Sequence, residues 1–113
     1  AKALGGNFKL EIVKGCPSTY NDPKVTELIR ETVVDMFGQH TLIERELSLG
    51  GEDFSYMTRE APGAMFLLGA KKDAVKRAHH NPLFDIDESV LPRGAAMLAE
   101  TTLRLLMGAA SKR

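Results

Sequence analysis

The chain has 113 residues, the length of one modest domain, and its fifteen Lys+Arg are balanced by fifteen Asp+Glu, so the formal net charge is zero. No basic excess exists to hold nucleic acid or an anionic membrane by bulk electrostatics, and no apolar run is long enough to span a bilayer. A single cysteine excludes an internal disulfide framework and any multi-Cys zinc knuckle, while 43% hydrophobic and 27% charged residues describe a globular chain rather than a disordered one.

The chain opens Ala1-Lys2-Ala3-Leu4-Gly5-Gly6 without an initiator Met and without a basic–apolar–small leader, which reads as a trimmed or excised piece. Phe8-Lys9-Leu10-Glu11-Ile12 alternates apolar and charged residues, the period of a strand with one covered face. Gly15-Cys16-Pro17-Ser18 breaks that pattern. Asn21-Asp22-Pro23 then sets up a helix start, because a short polar side chain accepts from orphan N–H groups and Pro suits the first helical position. Val25, Leu28, Ile29, Val33 and Met36 recur at three- and four-residue spacing and Gly38 stops the run, so residues 22–37 are predicted as an amphipathic helix.

Residues 42–48 are a weaker strand candidate. Gly50-Gly51-Glu52-Asp53 forms a turn whose acidic pair suits the start of a short helix over 54–60, ended by Pro62-Gly63. Ala64-Met65-Phe66-Leu67-Leu68 is a continuous apolar run, expected as a strand buried on both faces. Residues 71–77 read as a charged, exposed connection, and Pro82 keeps the 79–84 stretch in loop. A last helix is expected over about 88–108, with Pro92 in its first turn, Ser89 or a neighbour as cap, and Val90, Leu91, Ala95, Leu98, Thr102, Leu105 and Leu106 as its inward stripe. The strand–helix–strand–helix order predicts an α/β fold.

Three groups of residues could carry chemistry. The adjacent imidazoles His79 and His80 could bind a metal or move a proton, or could be exposed loop histidines; neighbours in sequence point apart, so at most one faces a given site. The N–H groups of Gly50 and Gly51 could hold a carboxylate or phosphate, or the stretch could be a capped turn. Asp85, Asp87 and Glu88 could orient an imidazole, or could complement a helix dipole. Met57, Met65 and Met97 read as core filler, and Cys16 as an inert small residue.

Together these stretches resemble the M-20 metallopeptidase family, the di-metal amidohydrolases that include aminoacylases, hippurate hydrolases and auxin-conjugate hydrolases. Gly50-Gly51-Glu52-Asp53-Phe54 is similar to the family's G-x-E-D-F motif, and Phe66-Leu67-Leu68-Gly69 follows in the same order. His80-x-Pro82-x-Phe84-x-x-Asp87-Glu88 resembles its H-x-P-x-F-x-x-D/N-E stretch, and Leu91-Pro92-x-Gly94-Ala95 completes the series. Upstream, Gly15-x-Pro17-x-Thr19-x-Asn21-Asp22 is similar to G-x-P-P-T-x-N-D, with Ser18 in place of the second Pro.

The resemblance implies a catalytic α/β domain, three-layered and di-zinc, with an inserted α+β lid used for dimerisation. On that reading residues 1–22 are the end of the lid and the return hinge, with 7–14 as the lid's last strand, and 23–113 are the C-terminal part of the catalytic domain. His80 matches the family's last metal-ligating His. Gly50 and Gly51 fall where its loop faces substrate, and Glu52 and Asp53 take structural or substrate-orienting places. The intact parent would hold two divalent metals (Zn, Mn or Co) and hydrolyse the amide bond of an N-acyl amino acid or short peptide, as a cytoplasmic homo-oligomer with no nucleic-acid or membrane partner. The family's other metal ligands and its general-base glutamate have no counterpart here. One imidazole does not hold zinc tightly, so this chain alone is expected to bind no metal tightly and to be inactive. The rival readings are a noncatalytic assembly module that pairs through an open strand edge at 8–13, and a small complete enzyme in which His79 or His80 acts as a base with Asp85 or Asp87.

Overall fold

Three α-helices carry the regular structure of the computed structural model, which describes residues 1–44, 49–75 and 77–110. They are α1 (Pro23–Phe37), α2 (Phe54–Glu60) and α3 (Leu91–Ala110), with single 3-10 turns at Lys2–Leu4, Gln39–Thr41 and Glu88–Val90. α1 begins where the sequence places it. The Asp22 carboxylate accepts from the N–H groups of Lys24 at 2.9 Å and Val25 at 3.0 Å, and Pro23 fills the first helical position. Gly38 ends the helix at φ 89°, where a side chain would be strained, and its N–H closes on the Val34 carbonyl. α3 follows the Glu88–Val90 turn, which Asp87 caps by accepting from the Ser89 N–H at 3.0 Å. The cap is therefore Asp87, a neighbour of Ser89.

α1 packs on α3, and Arg104 ties them by reaching Asp35 at 2.7 Å while also holding Glu100 on its own helix at 2.8 Å. The residues the two helices bury are Ile29 and Thr32 of α1 and Met97 and Thr101 of α3. Thr32 is fully enclosed because its hydroxyl donates to the Leu28 carbonyl one turn back, at 2.7 Å, and so needs no other partner. Gly94 lies against Leu68: a methyl group built there would meet Leu68 Cδ2 at 2.8 Å.

The buried face of α3 is not the expected one but the face beside it. Leu91, Leu98, Leu105 and Leu106 are exposed, Leu98 by 61%, whereas the residues turned inward are Met97 and Thr101. The leucine stripe records which face is apolar, and among the described residues nothing covers it. Met97 does fill the interior, but Met57 and Met65 are exposed and do not.

The expected α/β fold is not found. Among the described residues there is no strand, so neither the three-layer di-zinc peptidase architecture nor a lid strand is present in this chain's structure. A strand is stable only when its N–H and C=O groups find a neighbouring strand. Residues 7–14 find none: Phe8, Leu10 and Ile12 are all exposed. The 64–68 run makes isolated bonds instead of a ladder, and Met65, Leu67 and Leu68 are exposed rather than covered on both sides. Of the 42–48 candidate, residues 45–48 lie outside the described residues, and 42–44 are irregular.

The radius of gyration is 19.7 Å, where a compact chain of this length would give about 13 Å. The accessible surface is 9998 Å², against roughly 6,100 Å² for a compact monomer of 12.4 kDa. The helices are thus held by a narrow α1–α3 contact, and much apolar side chain stays in solvent.

Candidate functional site

The histidine pair sits in a tight turn between residues 77 and 84. Asn81 organises it: its N–H donates to the Ala78 carbonyl, its carbonyl accepts from the Phe84 N–H, and its side-chain oxygen accepts from the Leu83 N–H at 2.8 Å. His80 has φ 63°, and is alone among the described non-glycine residues in the left-handed region. That conformation costs an ordinary residue about 1–2 kcal/mol. It also turns consecutive side chains apart. His79 packs edge-on against the Phe84 ring, with centroids 5.4 Å apart and planes at 82°, and both imidazoles are exposed.

His79 and Phe84 border a cavity of about 430 Å³ between residues 68–75 and 77–86. Leu68, Val75 and Ile86 give it an apolar wall, and Lys71, Lys72, Arg77 and Asp85 give it charge. Lys72 is bound to Asp85, an interaction that raises the ammonium above its ordinary pKa and lowers the carboxylate; the Ile86 N–H lowers Asp85 further. Arg77 meets Asp73 at 2.6 Å, which raises the guanidinium and depresses Asp73, with help from the Val75 N–H. Asp87 is held low by hydrogen bonding from Ser89. None of these carboxylates bonds to an imidazole. Asp85 serves Lys72 and Asp87 serves the turn before α3, so the acids do not orient His79 or His80.

The double-glycine turn precedes α2. Glu52 does most of the capping: its side chain accepts from the Phe54 N–H at 3.2 Å, and its carbonyl accepts from the Ser55 N–H and hydroxyl, the latter at 2.6 Å. Ser55 is fully buried as a result, whereas the Asp53 side chain makes no cap bond. Gly50 and Gly51 are exposed, and open space surrounds the position of a Cβ on Gly51. Neither His80 nor the two glycines line the 430 Å³ cavity.

A catalytic zinc takes about three protein ligands. Among the described residues, no three His, Cys, Asp or Glu side chains stand close enough together to hold a metal ion. The residues present therefore do not by themselves fit a metal centre. Among them, too, no helix is long and apolar enough to cross a membrane.

The sequence profile of Peptidase family M20/M25/M40 matches residues 6–104, a span that contains the glycine turn, the histidine turn and the start of α3. The chain belongs to this family. As an M20/M25/M40 member it is 37% identical over 97 residues to IAA-amino acid hydrolase ILR1-like 2 of Arabidopsis thaliana, covering 85% of this chain and 22% of that protein. It is 32% identical over 97 residues to the putative amidohydrolase YhaA of Bacillus subtilis, covering 84% and 24%. It is 37% identical over 81 residues to thermostable carboxypeptidase 1 of Saccharolobus solfataricus, covering 70% and 20%. The M20/M25/M40 chain thus spans a quarter or less of the length of these curated relatives. No solved structure matches it.

Two features of this family member escaped the sequence reading. The 71–77 segment, read there as an exposed charged connection, borders the cavity through Lys71, Lys72, Val75 and Arg77. Its signal was the closeness of basic residues to Leu68, Phe84 and Ile86. Asn21, read as part of a helix start and of the 15–22 motif, reaches across to Met65. Nothing in the local sequence announces that partner.

Proposed function

We propose that this chain is the part of a metal-dependent amide hydrolase that contributes His80 as one metal donor and the Gly50–Gly51 turn as a substrate-facing element. The remaining metal donors lie outside these 113 residues. On this reading residues 1–22 belong to a lid and its hinge and residues 23–113 to the catalytic domain, in a protein that hydrolyses N-acyl amino acids or short peptides. The N–H groups of Gly50 and Gly51 would receive the substrate carboxylate, with Glu52 and Asp53 shaping the turn.

The observation that carries this reading is the family match across residues 6–104, which takes in all the motif residues together. The names of the relatives agree with it, a hydrolase of amino acid conjugates, an amidohydrolase and a carboxypeptidase. The strained backbone at His80 supports it as well, since a bulky residue held at positive φ is characteristic of sites where geometry matters more than stability. The rival reading as a self-contained acid–base enzyme is weakened by Asp85 and Asp87, whose carboxylates are engaged away from both imidazoles.

The test is a transplant. Residues 6–104 replace the matching segment of the Bacillus subtilis relative, and bound metal and hydrolysis of N-acetyl amino acids are measured together. The hybrid should hydrolyse the substrate, and His80→Ala should lower both metal affinity and rate about a hundredfold or more. A His80→Ala hybrid with full metal content and full rate would overturn the proposal, as would tight stoichiometric zinc on the isolated 113-residue chain.

A further inference from the structure

The Asn21 carboxamide takes both polar groups of Met65, accepting from its N–H at 3.0 Å and donating to its carbonyl at 2.9 Å, and the Asp22 N–H takes the Gly63 carbonyl at 2.9 Å. A carboxamide carries a donor and an acceptor side by side, as a backbone pair requires. The 63–65 segment so held lies against α2: a methyl group built on Gly63 would stand 3.5 Å from Thr58 Cγ2 and 3.6 Å from Phe54 Cζ, ordinary contact distances. Phe54 and Thr58 are one turn apart on the same side of that helix. The Phe54 N–H in turn donates to the Glu52 side chain at 3.2 Å, and the Ser55 hydroxyl and N–H donate to the Glu52 carbonyl. Glu52 directly follows Gly50-Gly51. Every step from Asn21 through Gly63–Met65 and Phe54 to Glu52 is a hydrogen bond or a contact between packed groups, the kind of continuous network through which one place can set the geometry of another.

We infer that Asn21 is a positioning residue for the Gly50–Gly51 turn: through the 63–65 segment and α2 it sets where the N–H groups of the two glycines point. The inference rests on the substrate-facing role proposed for that turn above. Asn21 acts through α2 and not on substrate directly. It lies at the end of the stretch 15–22 proposed as a hinge, so the hinge and the turn share one anchor. Removing the carboxamide lets the turn shift against the other groups that hold substrate, and a small misplacement of a binding group weakens its grip.

The test has two arms. In the 113-residue chain, Asn21→Ala should move the NMR amide resonances of Gly50 and Gly51, whereas Asp35→Asn, which removes a charge at the α1–α3 contact, should leave them in place. In the hybrid with the Bacillus subtilis relative, Asn21→Ala should raise KM for N-acetyl amino acids about tenfold while kcat and metal content stay within about twofold of the parent. A loss of folded enzyme alone would lower the apparent kcat and leave KM unmoved. Phe54→Leu keeps both Asn21 bonds and withdraws the Cζ atom that faces Gly63. It should raise KM in the same way, and it decides the matter if Asn21→Ala loses the native spectrum. Unmoved Gly50 and Gly51 resonances, or a parental KM in Asn21→Ala beside a raised KM in Gly51→Ala, would overturn this inference alone. A parental KM in Gly51→Ala would overturn the substrate role of the turn and this inference with it.

Discussion

The Asn21 carboxamide exchanges two hydrogen bonds with the backbone of Met65: its Nδ2 donates to the Met65 carbonyl at 2.9 Å, and its Oδ1 accepts from the Met65 N–H at 3.0 Å. One side chain thereby acts as a strand of a single residue. The Asp22 N–H donates to the Gly63 carbonyl at 2.9 Å beside it, so the same dipeptide that starts α1 also fixes the 63–65 segment. Asn21→Ala should speed exchange of the Met65 amide and lower stability by about 1–2 kcal/mol, the net worth of two partly solvated hydrogen bonds. Asn21→Asp should be at least as damaging, because it sets an oxygen against the Met65 carbonyl. Exchange at Met65 unchanged in both variants would contradict this role.

Asp22→Ala removes the cap of α1 and should cost about 1 kcal/mol. Urea denaturation followed by helical circular dichroism measures it, with Asp22→Asn expected to lose little because it keeps an acceptor oxygen.

Acid should loosen the loops that border the cavity. Asp73, Asp85 and Asp87 all have carboxyl pKa values below the ordinary 3.8. Groups depressed on folding contribute stability that is fully present above the unfolded value and is lost as pH falls through the depressed one. The window is therefore below pH 3.8. At the alkaline end Lys72 is raised above 10.5, so its share is complete below that value and disappears as pH climbs through the raised one. Amide exchange of residues 72–75 and 85–87 between pH 5 and pH 2.5 reads the acid limb, and Asp85→Asn should flatten it.

Gly94→Ala sets helix propensity against a collision. Alanine favours a helix interior by about 1 kcal/mol over glycine, but its methyl would lie 2.8 Å from Leu68 Cδ2. The substitution should gain less than 1 kcal/mol in the parent and the full ~1 kcal/mol in a Leu68→Ala background, a coupling that a double-mutant cycle isolates. Simple additivity would show that Leu68 yields freely.

Gly51→Ala distinguishes a structural glycine from a functional one. Nothing within 4 Å would meet the added methyl, and the residue is not at positive φ. Its stability should change by no more than about 0.5 kcal/mol. In the transplanted hydrolase the same change should raise KM for N-acetyl amino acids while leaving metal content intact.

The three helices were legible because their signals are local. Asp22-Pro23 and Gly38 bound α1, and Glu52-Asp53 and Pro62 bound α2, each acting within one turn of the residue concerned. The strands expected at 7–14 and 64–68 depend on lateral partners that no local pattern supplies, and there the reading failed. α3 shows the same limit in another form. Its leucine stripe was expected to face inward, but Met97 and Thr101, on the adjoining face, are what α1 covers. At the candidate site, the family resemblance singled out His80, and adjacency in sequence suggested that His79 and His80 point apart. Spacing did not show that the neighbour borders a cavity with Arg77, because that depends on how two loops lie together.

The backbone at His80 separates two goals that protein engineers often treat as one. Glycine or asparagine would relax the turn at φ 63°, whereas an imidazole there holds it under tension. A screen that ranks variants of this chain by melting temperature alone would therefore reward discarding the histidine. Replacements that prove hardiest at this position should be the least informative about what it is for.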